Sequence, residues 1–132
     1  CSLVGSEMCI RDSNLTDEQL RALAKNGGVA QLCLLDAYIN KNPKAASVCD
    51  AAEHLDHMIK VAGIDHVGIG TDFDGGGGLQ GCNGDNDLIN LTIKMIEKGY
   101  TEEDLRKIWG GNLLRVMKQV QEAPLLSSKK RR

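Results

Sequence analysis

Aromatic residues are nearly missing from this chain: Phe, Trp and Tyr make up 3% of its 132 residues. Any core must therefore be built from Leu, Ile, Val, Ala and Met. No apolar run approaches the roughly 20 residues that a membrane-crossing helix needs. The N-terminus also lacks the basic region and long apolar stretch of a secretory signal. Basic excess is absent too. The formal net charge is -2, which gives no reason to expect nucleic acid as a partner. The single basic run, Lys129 to Arg132, follows Ser127 and Ser128 and reads as a solvated tail. Cysteines are present at positions 1, 9, 33, 49 and 82, but no pair has the close C-x-x-C spacing of a zinc site. Cys33 lies within an apolar pattern and is expected to act as a small core residue. A reducing compartment is the simpler inference, with cytoplasmic and exported parents both left open. An initiator Met is missing as well: position 1 is Cys.

What remains is ordinary for one globular domain with a real core, at 42% hydrophobic and 26% charged residues. Residues 1–13 show no period and read as a foreign or disordered lead-in. Order is expected over 14–122, with 123–132 as a disordered basic tail that starts near Pro124. Thr16-Asp17-Glu18-Gln19 is a capping box. Leu20, Leu23 and Ala24 follow at helical spacing, and Asn26-Gly27-Gly28 ends the helix. Val29 to Leu35 is short and nearly all apolar, as in a parallel strand covered on both faces. Asp36 to Ala46, polar and containing Pro43, reads as a loop. Ser47 starts a helix whose buried stripe is Val48, Ala51, Ala52, Leu55, Ile59 and Ala62, stopped by Gly63. His66 to Thr71 is the second strand. Beyond a long loop, Leu88, Leu91, Ile93, Met95 and Ile96 mark another helix. Thr101 to Asp104 opens a short helix with acid in its first turn. Ile108 to Asn112 reads as a turn, and Leu113 to Gln121 as a last amphipathic helix.

Strands alternating with helices imply βα units and a parallel sheet. Two strands cannot close a sheet, so the order reads as the end of a larger barrel or wound sheet, cut on its N-terminal side.

The chemistry concentrates at His66 to Gly78, HVGIGTDFDGGGG. A strand that ends in carboxylates and opens into a glycine loop suits the ligand-binding edge of a parallel sheet. Asp72 and Asp74 alternate about Phe73, so an extended chain would point both to one face. Either could serve as general base or metal ligand, or could cap the loop through backbone amides. An EF-hand is disfavoured: counted from Asp72, position 5 is Gly76 and position 12 is Asn83, where ligand oxygens should stand. A P-loop is disfavoured because no Lys-Ser/Thr follows the glycines. His54 and His57 are one helical turn apart, but packed or surface roles suit them better than a shared metal. His66, at the opposite end of its strand, is read as structural.

With Gly63 to Gly75 in view, the chain resembles the membrane dipeptidase family, peptidase family M19. Asn14 to Glu18, Asn26 to Val29, His54 to His57 and Trp109 to Val116 agree with it in order. The likeness covers about residues 14 to 122 and is nearest to bacterial members with a long glycine loop. It implies a TIM-type (β/α)8 barrel and a dipeptidase in which two zinc ions activate a bridging water. The acid at the end of the last strand, here Asp72, would be proton acceptor and donor beside those metals. The family's zinc ligands are an early His-x-Asp pair, a bridging Glu and two later His. All belong upstream of Asn14, and none is present here. The substrate-holding arginine just before the Asn-Leu-Thr segment is replaced by Ser13, and Arg11 is not assigned that role. Tyr38, after the first strand, and Asp74 are the candidates to line the substrate pocket.

The resulting expectation is the α/β C-terminal portion of such a barrel, about its last two strands and their helices. The parent would cleave dipeptides and could pair as a homodimer. This piece should be inactive alone, and prone to aggregate or remain partly molten through its exposed strand edges. The alternative is a standalone α/β module that holds a small ligand with Gly75 to Gly84.

Overall fold

The computed structural model describes residues 15–123. The expectations for the lead-in, Asn14 and the basic run Lys129 to Arg132 lie outside the described residues. The first element is α1 (Asp17–Lys25). Thr16 Oγ1 accepts from the Gln19 amide at 3.2 Å, and Gln19 Oε1 accepts from the Thr16 amide at 2.9 Å. The box read from sequence is therefore closed in both directions, and two N-terminal amides that a helix leaves orphaned have partners. Leu20 carries α1 into the core.

Strand β1 (Ala30–Cys33) follows, then a short helix α2 (Asp36–Ile39). Helix α3 (Val48–Ala62) is the longest element. Ser47 caps it, and Asp50 returns the bond by accepting from the Ser47 amide at 3.1 Å. Ala51, Ala52, Leu55, Met58 and Ala62 form its buried face, with Val48 and Ile59 partly buried beside them. Gly63, at φ 97°, ends it in a backbone region that disfavours side chains. Strand β2 (Val67–Gly70) pairs parallel to β1, with Ala30 opposite Val67 and Cys33 opposite Gly70. The chain closes with α4 (Leu88–Glu97), α5 (Glu102–Arg106) and α6 (Asn112–Glu122). The core lies between one face of the sheet and the helices, and its fully buried members include Leu34, Leu55, Val67, Leu91, Met95 and Ile108. No helix among the described residues is long and apolar enough to cross a membrane.

Several expectations need correction. Each strand is shorter than read: Val29 and Leu35 fall outside β1, and His66 belongs to a 3-10 turn, Ile64–His66, leading into β2. The expected loop from Asp36 to Ala46 holds α2 and a 3-10 turn, Pro43–Ala45. Asp36 is the first residue of α2, and its carboxylate accepts from the Ala37 amide at 2.5 Å. Ile93 and Ile96 do lie in α4 but are exposed, whereas Leu91 and Met95 are buried. The expected turn at Ile108 to Asn112 is mostly a π-helical stretch, Lys107–Gly111, kinked at Gly110 and running straight into α6. A glycine pair and a π-bulge are both known causes of such a kink.

The glycine loop is not loosely attached. The Gly78 amide donates to Leu34 O at 2.8 Å, and the Gln80 amide donates to Ala46 O at 3.0 Å. Leu79 and Cys82 are buried in the core. The loop is thus laid along the carboxyl end of β1 and pinned to the start of α3.

Candidate active site

Both strands run parallel, so their carboxyl ends, Cys33 and Gly70, sit side by side. Alternation along β1 buries Ala30 and Leu32, with Leu34 buried just beyond the strand, and turns Gln31 and Cys33 to the other face. That face of β2 carries Gly68 and Gly70, which leave room for Gln31: a β-carbon at Gly70 would lie 3.1 Å from its Oε1. On this face Gln31 is exposed, Cys33 is half-buried, and Gly68 is buried beside Gln31 and the Ile108 carbonyl, and the face leads up to Asp72.

Asp72 stands two residues beyond β2. Its backbone is left-handed, φ 59° and ψ 29°, and it is the one non-glycine residue among those described with positive φ. Asp tolerates that region better than most residues, at a cost still of order 1 kcal/mol. A 3-10 turn, Phe73–Gly75, follows at once. This overturns the reading of Asp72 and Asp74 as alternate residues of extended chain, because a left-handed residue followed by a helical turn has no two-residue alternation. Both are exposed, but no shared face follows from their spacing.

The Asp72 side chain faces Cys33. The Cys33 thiol donates to Asp72 Oδ2 at 3.5 Å, ordinary for a weak sulfur donor. The reading of Cys33 as a core residue is corrected accordingly: it is half-buried and lies at the candidate site. Burial raises the Cys33 pKa first, and the bond and charge of Asp72 raise it further, against a lowering by the Leu35 backbone. The thiol is thus held protonated, as a donor to the carboxylate. The missed signal was positional, since Cys33 is the last residue of β1 and directly opposite Gly70. Tyr38, on α2 just after β1, is exposed at the same end of the sheet.

The histidines lie elsewhere. His66 Nδ1 is 2.8 Å from Gly28 O, so this nitrogen must carry the proton and donate. His57 Nε2 is 2.8 Å from Asp17 Oδ1, tying α3 to α1. His54 is lowered to about 4 by burial and by the neighbouring His57.

The comparisons with known proteins meet this geometry at one place. A family model for membrane dipeptidases, peptidase family M19, matches residues 4–131. The chain belongs to the membrane dipeptidase family. An uncharacterised dipeptidase of Schizosaccharomyces pombe is 39% identical over 122 residues, which are 90% of this chain and 29% of that protein. Dipeptidase ataJ of Aspergillus terreus is 39% identical over 113 residues, 83% of this chain and 27% of the relative. Among solved structures, a metallopeptidase from Rhodobacter sphaeroides, liganded with a phosphinate mimic of L-Ala-D-Ala, superposes with a TM-score of 0.74 at 31% identity. It covers 80% of this chain and 31% of that one. The probable dipeptidase PvdM of Pseudomonas aeruginosa shares the fold, with a TM-score of 0.82 over 88% of this chain and 43% of that one, at 23% identity. The chain thus spans under a third of the length of these curated relatives.

Within this M19 chain, the Trp109 to Val116 segment turns out to be a clamp at the far end of β2. Asn112 is 3% exposed, and its Nδ2 donates to Ile64 O at 2.7 Å and to Val67 O at 2.8 Å. Arg115 donates to Gly27 O at 3.2 Å and to Asp65 O at 2.7 Å. Two of the solved neighbours are metallopeptidases by name. No group of three or more His, Cys, Asp or Glu among the described residues is placed to hold a metal ion. The described residues do not by themselves fit a metal.

Proposed function

We propose that this chain is the C-terminal part of a dipeptidase barrel, about its last two strands and their helices, and that Asp72 is its contribution to peptide hydrolysis. Asp72 would accept and return the proton in the intact enzyme, whose metals, two zinc ions in this reading, would be held by residues outside this chain. The observation that carries this reading is the placement of Asp72. It is an exposed carboxylate in a strained left-handed conformation at the carboxyl end of a parallel strand, where such folds keep their reacting groups. Strain of this kind concentrates at functional sites. Tyr38 and Asp74, exposed at the same end, are assigned to the wall of the dipeptide pocket.

One carboxylate without a Lewis acid cannot make water nucleophilic enough at neutral pH to attack an amide. The isolated chain should therefore show no dipeptide hydrolysis with or without added zinc. Zinc-dependent turnover that disappears in Asp72→Asn would overturn the inactivity claim. In the intact parent, Asp72→Asn should lower kcat by roughly 10²–10⁴-fold, the usual worth of a general acid–base group. A smaller loss would remove Asp72 from the proton-transfer role.

A further inference from the structure

Four glycines follow Asp74, yet they do not serve one purpose. Gly76 and Gly78 have φ of 97° and 154°, so their backbone geometry alone disfavours a side chain. Gly75 and Gly77 are not among the positive-φ residues; at Gly77 the backbone leaves no space for a side chain, and at Gly75 one would have to displace the Asp72 carboxylate. A β-carbon at Gly75 would run into Asp72 Oδ1 and lie 3.0 Å from its Cγ and 3.2 Å from Oδ2. A β-carbon at Gly77 would lie 2.6 Å from Thr71 O and 2.7 Å from Asp72 O. Both amides are also turned inward: Gly75 N–H donates to Asp72 O at 3.0 Å and Gly77 N–H at 2.8 Å. The loop is wrapped around one residue, with the backbone of Asp72 held by two amides and its carboxylate seated against the bare α-carbon of Gly75. On its other side the carboxylate meets the Cys33 thiol at 3.5 Å.

We propose that Gly75 is a positioning residue for Asp72, its missing side chain seating the carboxylate between the loop and Cys33. The inference rests on the reading of Asp72 as the reacting acid for its purpose, but not for its test. Cys33 reports where the carboxylate sits whatever chemistry that carboxylate performs. With Asp72 against it, the thiolate is disfavoured by charge and by loss of the hydrogen bond. Moving the carboxylate away should release the thiol.

The test is alkylation of the 132-residue chain across a pH series, with Cys33 and Cys82 followed separately by peptide mass. Cys82 is 0% exposed and lies in the same loop, so its protection certifies that the loop is folded. Gly75→Ala should speed Cys33 alkylation below its pKa by about threefold or more and shift its pH profile downward, as Asp72→Asn does. Cys82 should stay protected. Gly84→Ala, on extended backbone with open space around it, should match the wild type. An unchanged Cys33 profile in Gly75→Ala would overturn the proposal. So would a faster Cys33 accompanied by exposure of Cys82, since Gly75 would then serve the loop and not the carboxylate. If Gly75→Ala folds poorly, a double-mutant cycle decides the matter. In an Asp72→Gly background, Gly75→Ala should leave the unfolding midpoint nearly unchanged; additive losses would sink the assignment. A carboxylate shown to be seated this way, combined with an unaffected kcat for Asp72→Asn in the parent, would keep this inference and remove only the catalytic reading.

Discussion

Single side chains decide more here than their number suggests. Asn112 spends both Nδ2 hydrogens on carbonyls flanking the entry to β2. Ala in its place would leave buried acceptors without donors, at about 1–3 kcal/mol for each group that water cannot reach. Asn112→Ala should therefore lower stability by about 2 kcal/mol or more, read as a lower urea midpoint at constant m. Asn112→Asp should be no better, because it exchanges the donor for a charged acceptor facing two carbonyls. His54 acts through protons. Its pKa is lowered to about 4 by burial and by His57, against about 6.5 in the unfolded chain. Above pH 6.5 both states leave it neutral and it adds no pH dependence. As pH falls from 6.5 to 4, the unfolded state takes up the proton first, and stability drops by on the order of 2 kcal/mol. Unfolding midpoints taken at pH 7 and pH 5 should differ, and His54→Gln should remove most of that difference.

At the scale of elements, the capping chemistry was the most legible part of the sequence. Thr16, Ser47 and Thr101 were each legible as a helix start, Thr16 alone as a capping box, and in the structure all three close one. Ser47→Ala should cost about 1 kcal/mol, visible as a thermal midpoint lower by a few degrees. A fall no larger than that of an exposed control such as Gln121→Ala would mean the cap contributes little. Both strands were legible as short apolar runs, but their faces were not. An apolar run reads as covered on both sides, whereas β1 buries Ala30 and Leu32, with Leu34 just past it, and turns Gln31 and Cys33 outward. Cys33 was misplaced for that reason. Asp72 was singled out because its neighbourhood is written locally, as a β-branched strand breaking into glycines. Its relation to Asp74 was missed because two-residue alternation presumes extended backbone, and nothing in the letters marks a left-handed aspartate. Helix α2 was missed for its length: four residues offer no period to read.

The whole molecule leaves two surfaces that a two-strand sheet cannot hide. Each strand is hydrogen-bonded on one side only among the described residues, and an unpaired strand edge invites association. Helix α6 touches the rest mainly through Asn112 and Arg115, while Leu113, Leu114, Met117 and Val120 are 39% to 69% exposed along it. Leu113, Met117 and Val120 fall at i, i+4 and i+7, a single stripe of the kind a helix normally lays on a neighbour. Relatives more than three times as long as this chain have ample sequence from which such a neighbour could come. Under the barrel reading, the missing strands would cover both the α6 stripe and the Gln31–Cys33 face. The isolated chain should then self-associate at micromolar concentration, and Leu113→Glu with Val120→Glu should shift it toward monomer in sedimentation without altering its helical circular dichroism. A standalone ligand-binding module makes the opposite demand. It would be monomeric and cooperative in unfolding as it stands, and the two charges on α6 would change nothing in its sedimentation. A wild-type chain that sediments as a monomer over that concentration range would take the α6 stripe out of the argument for a larger barrel.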